Sequence, residues 1–406
     1  MNTLTEKNTK EKFLEIFKNY KSLKTSLNEE GLDALKKLDF PDNKNEDWKY
    51  TRTHKIARNT YQIIKGKNAD VDDWLTDNSL VFINGFYNPQ QSSANHLYKS
   101  FLINNPKNTA YFKPDKNIFT ALNAAYYTDG LYLINSPHNH KKITVIHYNS
   151  DNALANIHHY IHIQKNTQAE IEFIFLSDEN INLTNIVTQI KLEENAKLTL
   201  NILQNEKPHT SQINLIHVHQ QANSEFNITT CSLGGELTRN NLNIYADGQN
   251  CTSNLNGIYI TNNQQHIDNH TLIDHLMPNC QSNETYKGVM SGKSTGVFNG
   301  KVYVRPNAQK INAYQSNANI LLSDDASINT KPELEIYADD VKCSHGSTTG
   351  QLDEEALFYL RARGIGEQQA KKILVHAFVA EVTQQINDES FRTQIQNLID
   401  KKLSAL

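Results

Sequence analysis

Near the end of this 406-residue chain a thiol and an imidazole stand two residues apart, Cys343 and His345, in the stretch KPELEIYADDVKCSHGSTTGQLDEEALFYLRAR from Lys331 to Arg363. Thiolate sulfur and neutral imidazole nitrogen are competent donors to iron or zinc. In an extended strand residues i and i+2 point to one face, so both donors can address a single point. Two ligands do not close a tetrahedral site, so a metal or cluster held here needs further ligands from elsewhere or from another chain. The plain alternative is an ordinary thiol beside a surface histidine.

Other constellations are weaker. Gly292-Lys293-Ser294-Thr295 looks like the end of a phosphate-binding loop, but the pattern requires a glycine where Lys287 stands. Any ATP chemistry would therefore have to come from a partner. His158, His159 and His162, and the pair His217 and His219, sit on strands whose apolar alternates Ile161, Ile163, Ile216 and Val218 take the core, so these histidines are expected to face solvent. His266, His270 and His275, with Asp268 and Asp274, fall in a polar stretch read as a loop and are treated the same way. Asp339 and Asp340 are adjacent and point to opposite faces of a strand, a poor start for a pair of catalytic carboxylates. Gly364-Ile365-Gly366 is similar to the hairpin of DNA-binding helix-hairpin-helix modules, but without basic residues around it a simple helix-to-helix turn is expected.

Composition narrows the class. A net charge of −4 and a pI near 6.5 give no electrostatic footprint for nucleic acid. No apolar run approaches the ~18 residues that cross a bilayer, and the start, MNTLTEKNTKEKF, has no apolar signal core. A cytoplasmic chain without membrane contact is expected. The cysteines Cys231, Cys251, Cys280 and Cys343 are widely spaced, which indicates reduced thiols rather than a zinc ribbon or a disulfide scaffold.

The elements that would position these residues fall into three parts. Residues 1–140 form an N-terminal helical and mixed region: Phe13, Leu14, Ile16 and Phe17, then Leu32, Leu35 and Leu38, recur at helical spacing, Phe119 to Tyr126 reads as a helix, and Leu80 to Ile83 and Leu131 to Ile134 read as strands. Residues 141–350 form a β core whose text nearly repeats. Ala169, Ala196 and Ala222 recur 27 and then 26 residues apart. Three columns move with them: Phe173, Leu200 and Phe226; Phe175, Ile202 and Ile228; Ile163, Ile190 and Ile216. A fixed period of this size with short alternating strands predicts a parallel β-helix rather than a β-sandwich, whose hairpins need no constant period. Coils stacked ~4.8 Å apart would make a rod roughly 35 to 40 Å long. Residues 351–406 form a C-terminal helical region in which Leu357, Leu360 and Phe378 mark amphipathic helices. If solenoid coils are held mainly by their neighbours, truncation after Gln351 leaves the β core folded.

From residue 279 to residue 365 the sequence closely resembles the SufB/SufD family of iron–sulfur cluster assembly proteins, and within it the SufD branch; the segments GKSTGVFNGKVYVRPNAQKINAYQSN and KCSHGSTTGQLDEEALFYLRARGI carry the match. Glu46-Asp47-Trp48-Lys49-Tyr50-Thr51, Leu122-Asn123-Ala124-Ala125 and Asp129-Gly130 are similar to further signatures of that branch. The resemblance implies a mainly β fold, a right-handed parallel β-helix flanked by helical N- and C-terminal regions. It implies a non-catalytic scaffold subunit of the SufBCD complex that supports the building of nascent iron–sulfur clusters and their transfer to apo-proteins, iron entry being one form of that support. SufB would pair with it through the β-helix, and the ATPase SufC would bind the C-terminal helices on a platform for which Leu357, Phe358, Leu360 and Phe378 are the candidates. Carried onto Cys-Ser-His-Gly, it implies that Cys343 and His345 hold the nascent cluster, a transient one shared with SufB. Where SufB has a cysteine in the strand corresponding to Asn317-Ala318-Asn319, and a glutamate corresponding to Gly346, this chain has neither, so alone it is an incomplete scaffold. A reduced flavin on the complex and a homodimer of the chain alone stay open. The runner-up is a β-helical polysaccharide-binding protein or lyase.

Overall fold

A computed structural model describes residues 3–20, 25–42, 44–104, 112–135 and 142–404. The period is set at corners. Asn166, Asn195, Asn223, Asn250 and Asn279 each turn the chain with φ between 58° and 62°. Asparagine enters this left-handed region more readily than other residues bearing a Cβ. Its side chains also tie coil to coil: Asn195 Nδ2 donates to Asn166 Oδ1 at 2.8 Å and Asn250 Nδ2 to Asn223 Oδ1 at 3.0 Å.

Between corners, strands mostly of ten residues alternate between two sheets, and each pairs in parallel with the equivalent strand of the next coil. The first sheet has ten strands and the second eight, making a β-solenoid of about seven turns with helices at both ends. The expected β-helix is what forms. Its register differs from the sequence columns by two residues. Ile171 pairs with Leu200 and Leu200 with Ile228, while on the second sheet Ile161 pairs with Ile190 and Ile190 with Val218. The coils therefore repeat every 29 and then 28 residues, as the corner asparagines Asn166, Asn195 and Asn223 do. Because side chains alternate with period two, this slip keeps every column on its own face, and so the apolar pattern could not reveal it.

Helices cover both outer faces. On the second sheet lie α1 (Thr3–Leu14), α2 (Ser26–Lys37), α3 (His54–Arg58), α4 (Phe101–Asn104) and α5 (Ile118–Tyr126). Thr25 caps α2 and Asn117 caps α5, each through a reciprocal side-chain and backbone bond. Phe13, Leu35, Trp48 and Phe119 pack on Leu154, Leu183, Ile213 and Leu237. On the first sheet lie α7 (Glu367–Thr383) and α8 (Glu389–Ser404), reached through α6 (Glu354–Ala362). Val375, Val379, Ile395 and Ile399 bury Ile146, Leu203, Ile258 and Val289 of that sheet. The C-terminal helices thus share a core with the first sheet, which argues against the expectation that truncation after Gln351 leaves the β-helix intact.

The histidines are also corrected. His158 and His217 face outward, but the N-terminal layer buries them: Phe101 stacks on His158 at 4.4 Å and Phe112 stands edge-on to both. His159 points into the core, where its Nε2 lies 3.2 Å from Nε2 of His147. His219 is buried against Tyr245, and His162 is half-buried beside Glu193. His266–His275 is a strand, not a loop, with His275 fully buried and bonded to Ser282 at 3.0 Å. Burial pushes the imidazoles of His158 and His159 down to about 3, so they are neutral.

Candidate functional site

The C-terminal end of the solenoid is open. Ser327–Ile336 and Val341–Gly350 are the last strands of the two sheets, and each pairs on one side only, with Thr295–Val304 and Ile311–Leu321 respectively. Among the described residues no strand meets their outer edges. Along Val341–Gly350, Cys343 stands opposite Ala313, His345 opposite Gln315 and Ser347 opposite Asn317. Ala313, Gln315 and Asn317 are buried while Tyr314 and Ser316 between them are exposed, so Cys343 and His345 share the inward face of the strand. Cys343 is half-buried against Ala313, Val304 and Ala308, and burial pushes its thiol up. His345 is exposed.

Beneath His345 the inward column changes character. Reading coil by coil toward the open end it runs Ile143, Ile171, Leu200, Ile228, Leu255, Glu284, Gln315, His345. Five aliphatic levels give way to a carboxyl, an amide and an imidazole. Glu284 is fully buried, and burial pushes its carboxyl up to about 7. Gln315 Nε2 donates to Glu284 Oε2 at 2.7 Å, leaving Glu284 Oε1 and Gln315 Oε1 without a hydrogen-bond partner. Beside this column Asn317 and Asn319 form a network with Tyr259: Tyr259 Oη donates to Asn319 Oδ1 at 2.5 Å and accepts from Asn317 Nδ2 at 3.0 Å. Asn319 Nδ2 then donates to the Thr348 carbonyl at 3.2 Å and fixes the terminal strand. Sequence columns two residues out of register do not place Glu284 and Gln315 under His345; Asn279 marks the corner five residues before Glu284, but Lys310 and Asp340 stand at the equivalent corners before Gln315 and His345.

Among the described residues no three of His, Cys, Asp and Glu are grouped to hold a metal ion. Cys343 and His345 are a thiol and an imidazole side by side at the open edge, and among the described residues no third such group joins them. Gly292 is a corner residue with φ 64° followed by the strand Thr295–Val304, so the phosphate-loop likeness has no helix N-terminus behind it. Gly364, at φ 85°, sits in the turn from α6 to α7.

Residues 146–378 match the profile of the family described as SUF system FeS cluster assembly, SufBD core domain. The chain belongs to this family. It is similar to the iron–sulfur cluster assembly protein SufD of Escherichia coli strain K12, with 29% identity over 390 residues, 92% of this chain and 91% of that one. A SufBD family protein of Synechocystis is 28% identical over 404 residues, covering 90% and 88% of the two chains. The chloroplastic protein ABCI7 of Arabidopsis thaliana is 35% identical over 229 residues, 56% of this chain and 48% of that one.

The SufD-like signatures outside the matched region are docking residues. Trp48 stacks on Phe119 at 5.4 Å and lies under the Arg239 guanidinium at 3.9 Å. Arg239 and Asp268 form a buried ion pair at 2.6 Å, and Thr51 donates to the same carboxylate. Burial alone would raise the Asp268 carboxyl, but Arg239 and His270 hold it well below the usual range. Asn123 Nδ2 donates to the Ile157 carbonyl at 2.7 Å, and its Oδ1 meets His158 Nδ1 at 2.7 Å. At Gly130 a Cβ would fall 1.7 Å from the His158 carbonyl oxygen.

Of the candidate platform residues, Phe358 is 74% exposed on α6, beside Tyr359 at 58%, and α6 buries none of its residues. Leu357 lines a groove of about 380 Å³ with Gln368, Lys371, Val375 and Leu322. Leu360 is half-buried, and Phe378 faces the first sheet, with Lys287 Nζ 5.0 Å over its ring. Among the described residues no helix is long and apolar enough to cross a membrane.

Proposed function

We propose that this chain is a SufD-type scaffold subunit that supports the assembly of nascent iron–sulfur clusters and their transfer to apo-proteins, without catalysing a reaction itself. The observation that carries this reading is the terminal strand. Cys343 and His345 present a thiol and an imidazole on one face of an unpaired ten-residue edge, in a family that builds such clusters. A strand from a SufB partner would complete the edge by β-addition and bring the missing ligands with it. The cluster is cargo, shared by two chains and handed on. The exposed Phe358 and Tyr359 on α6 supply the aromatic anchors for the ATPase SufC, since large apolar side chains left bare on a helix favour a protein partner.

The test is cluster content per assembled complex after reconstitution with SufB and SufC. His345→Ala removes a donor from an exposed position without touching packing, so complex formation should persist while iron and sulfide per complex fall. Cys343→Ser should act in the same direction. Normal occupancy in an intact His345→Ala complex would rule out ligation by His345.

A further inference from the structure

Several corners of the solenoid are closed by a side chain that bonds back three residues. Thr167 Oγ1 donates to the Gln164 carbonyl at 2.7 Å, Ser224 Oγ to that of Gln221 at 2.7 Å and Ser294 Oγ to that of Ser291 at 2.7 Å. In two successive coils the same place holds sulfur: Cys251 Sγ donates to the Gly248 carbonyl at 3.1 Å and Cys280 Sγ to that of Met277 at 3.4 Å. A thiol is a weak donor, so the corner gains nothing from the exchange. The exchange does bring two thiols together. Cys280 Sγ also lies 3.3 Å from the Gly248 carbonyl oxygen, so both sulfurs converge on one acceptor. Gln281 N donates to the Cys251 carbonyl at 2.8 Å, and Thr252 pairs with Gln281 in the ladder, which stacks the two cysteines one coil apart. One coil spacing is about 4.8 Å between Cα atoms, inside the roughly 4.4–6.8 Å range of disulfides.

The two thiols are not equivalent. The hydrogen bond from Cys280 holds the Cys251 thiol below the ordinary cysteine range, whereas that same contact and burial push Cys280 up. Thiolate character therefore falls on Cys251. Both sulfurs are buried, but only one residue beneath the exposed turn residues Asn250 and Asn279. Cys231 lies in the layer under the C-terminal helices and Cys343 at the open end, so neither belongs to the pair.

We propose that Cys251 and Cys280 are a redox-active dithiol that hydrogen peroxide converts to an intrachain disulfide joining adjacent coils. The Cys251 thiolate attacks one peroxide oxygen; the O–O bond breaks, leaving a sulfenic acid and a hydroxide that takes up the proton Cys251 released. The Cys280 sulfur then attacks the Cys251 sulfur, the S–O bond breaks, and the Cys280 proton leaves with the second water. The two sulfurs lose two electrons and one peroxide becomes two waters.

The experiment treats the full-length chain with peroxide, alkylates it under denaturing conditions and maps tryptic peptides by mass spectrometry. The peptide from Asn240 to Lys287 contains both cysteines and no internal Lys or Arg. It should become lighter by two hydrogens, lose both alkylation sites and recover them after dithiothreitol. Cys251→Ser and Cys280→Ser should both fold, because Ser224 already closes the same corner with a hydroxyl. Neither variant should form the disulfide, and Cys280→Ser should accumulate a dimedone-reactive sulfenic acid at Cys251. Both thiols remaining free after peroxide, a disulfide to Cys231 or Cys343 instead, or no dimedone adduct in Cys280→Ser would each overturn the proposal.

Discussion

Glu284→Gln isolates the point at which the inward column turns polar. Burial holds this carboxyl at about 7 in the folded chain against an ordinary 4.5. Between those values the unfolded chain releases a proton that the folded chain keeps. The contribution of Glu284 to stability is therefore greatest below the unfolded value, falls as the pH rises through the interval, and levels off above the folded value. A gap of roughly 2.5 pH units corresponds to about 3 kcal/mol. Glutamine keeps the shape of the protonated acid. Its oxygen can accept the bond that Gln315 Nε2 now gives Glu284 Oε2 at 2.7 Å, and its amide hydrogens can be met by the otherwise unpartnered Gln315 Oε1. The two chains should thus unfold at similar urea concentrations near about pH 5, while Glu284→Gln should be the more stable by up to about 3 kcal/mol near about pH 8.5. Far-UV circular dichroism across that range gives the difference directly. Glu206 is also buried and pushed up to about 8, but it is common to both chains and cancels. Parallel pH profiles for the two chains would refute the assignment of a neutral, buried acid beneath His345.

Asp268→Asn strips the partner from a guanidinium only 2% exposed and should cost about 3–5 kcal/mol, read as loosening of the N-terminal layer by limited proteolysis near Trp48; unchanged protection would count against the ion pair as its anchor. Gly130→Ala places a methyl on backbone that has no room to yield and should lower stability by at least about 1–3 kcal/mol in thermal unfolding, a neutral result showing that the layer can shift. Truncation after Gln351 uncovers Ile146, Leu203, Ile258 and Val289 and should yield an aggregating, dye-binding chain; a soluble monomer would show that the C-terminal helices are dispensable.

The residues that mark the fold in sequence and those that fix its geometry are different. Ile161, Ile190 and Val218, or Ile171, Leu200 and Ile228, announce a repeating apolar face, but any even-numbered slip satisfies them equally. Register is set by corners, through the positive φ of Asn166, Asn195 and Asn223, and asparagine is too common in this chain for those positions to stand out. Cys343 and His345 were legible as a pair on one face because only the local strand period matters there. Glu284 and Gln315 were not, since their relation to His345 spans two coil closures. Burial of the histidines escapes the sequence for a related reason: His158 and His217 do face away from the solenoid core, and only the tertiary docking of Phe101 and Phe112 decides that this outer face is dry.

The two ends of the solenoid also bear on how the site would be completed. At the first end the edge of Ser79–Ile83 is closed within the chain: Ser79 N donates to Ser93 Oγ at 2.8 Å, Val81 N to Ser92 Oγ at 2.9 Å, Asn88 N to the Val81 carbonyl at 2.8 Å and Ala94 N to the Ser79 carbonyl at 3.1 Å. The far end carries two unpaired ten-residue edges. A solenoid open at both ends could add copies head to tail into a fibre, whereas one closed at a single end can join only another open end. Such a joint is limited to two chains and sets the terminal strand of one against that of the other. Cys343 and His345 then meet whatever donors the second terminal strand carries. Two copies of this chain would supply the same thiol and imidazole twice, while a paralogue can supply a different set. Competition for the open edge between a second copy and SufB is therefore the quantity to measure: sedimentation of the chain with and without SufB should show one dimer replaced by the other, and a SufB complex that forms without displacing a pre-existing homodimer would place its surface elsewhere.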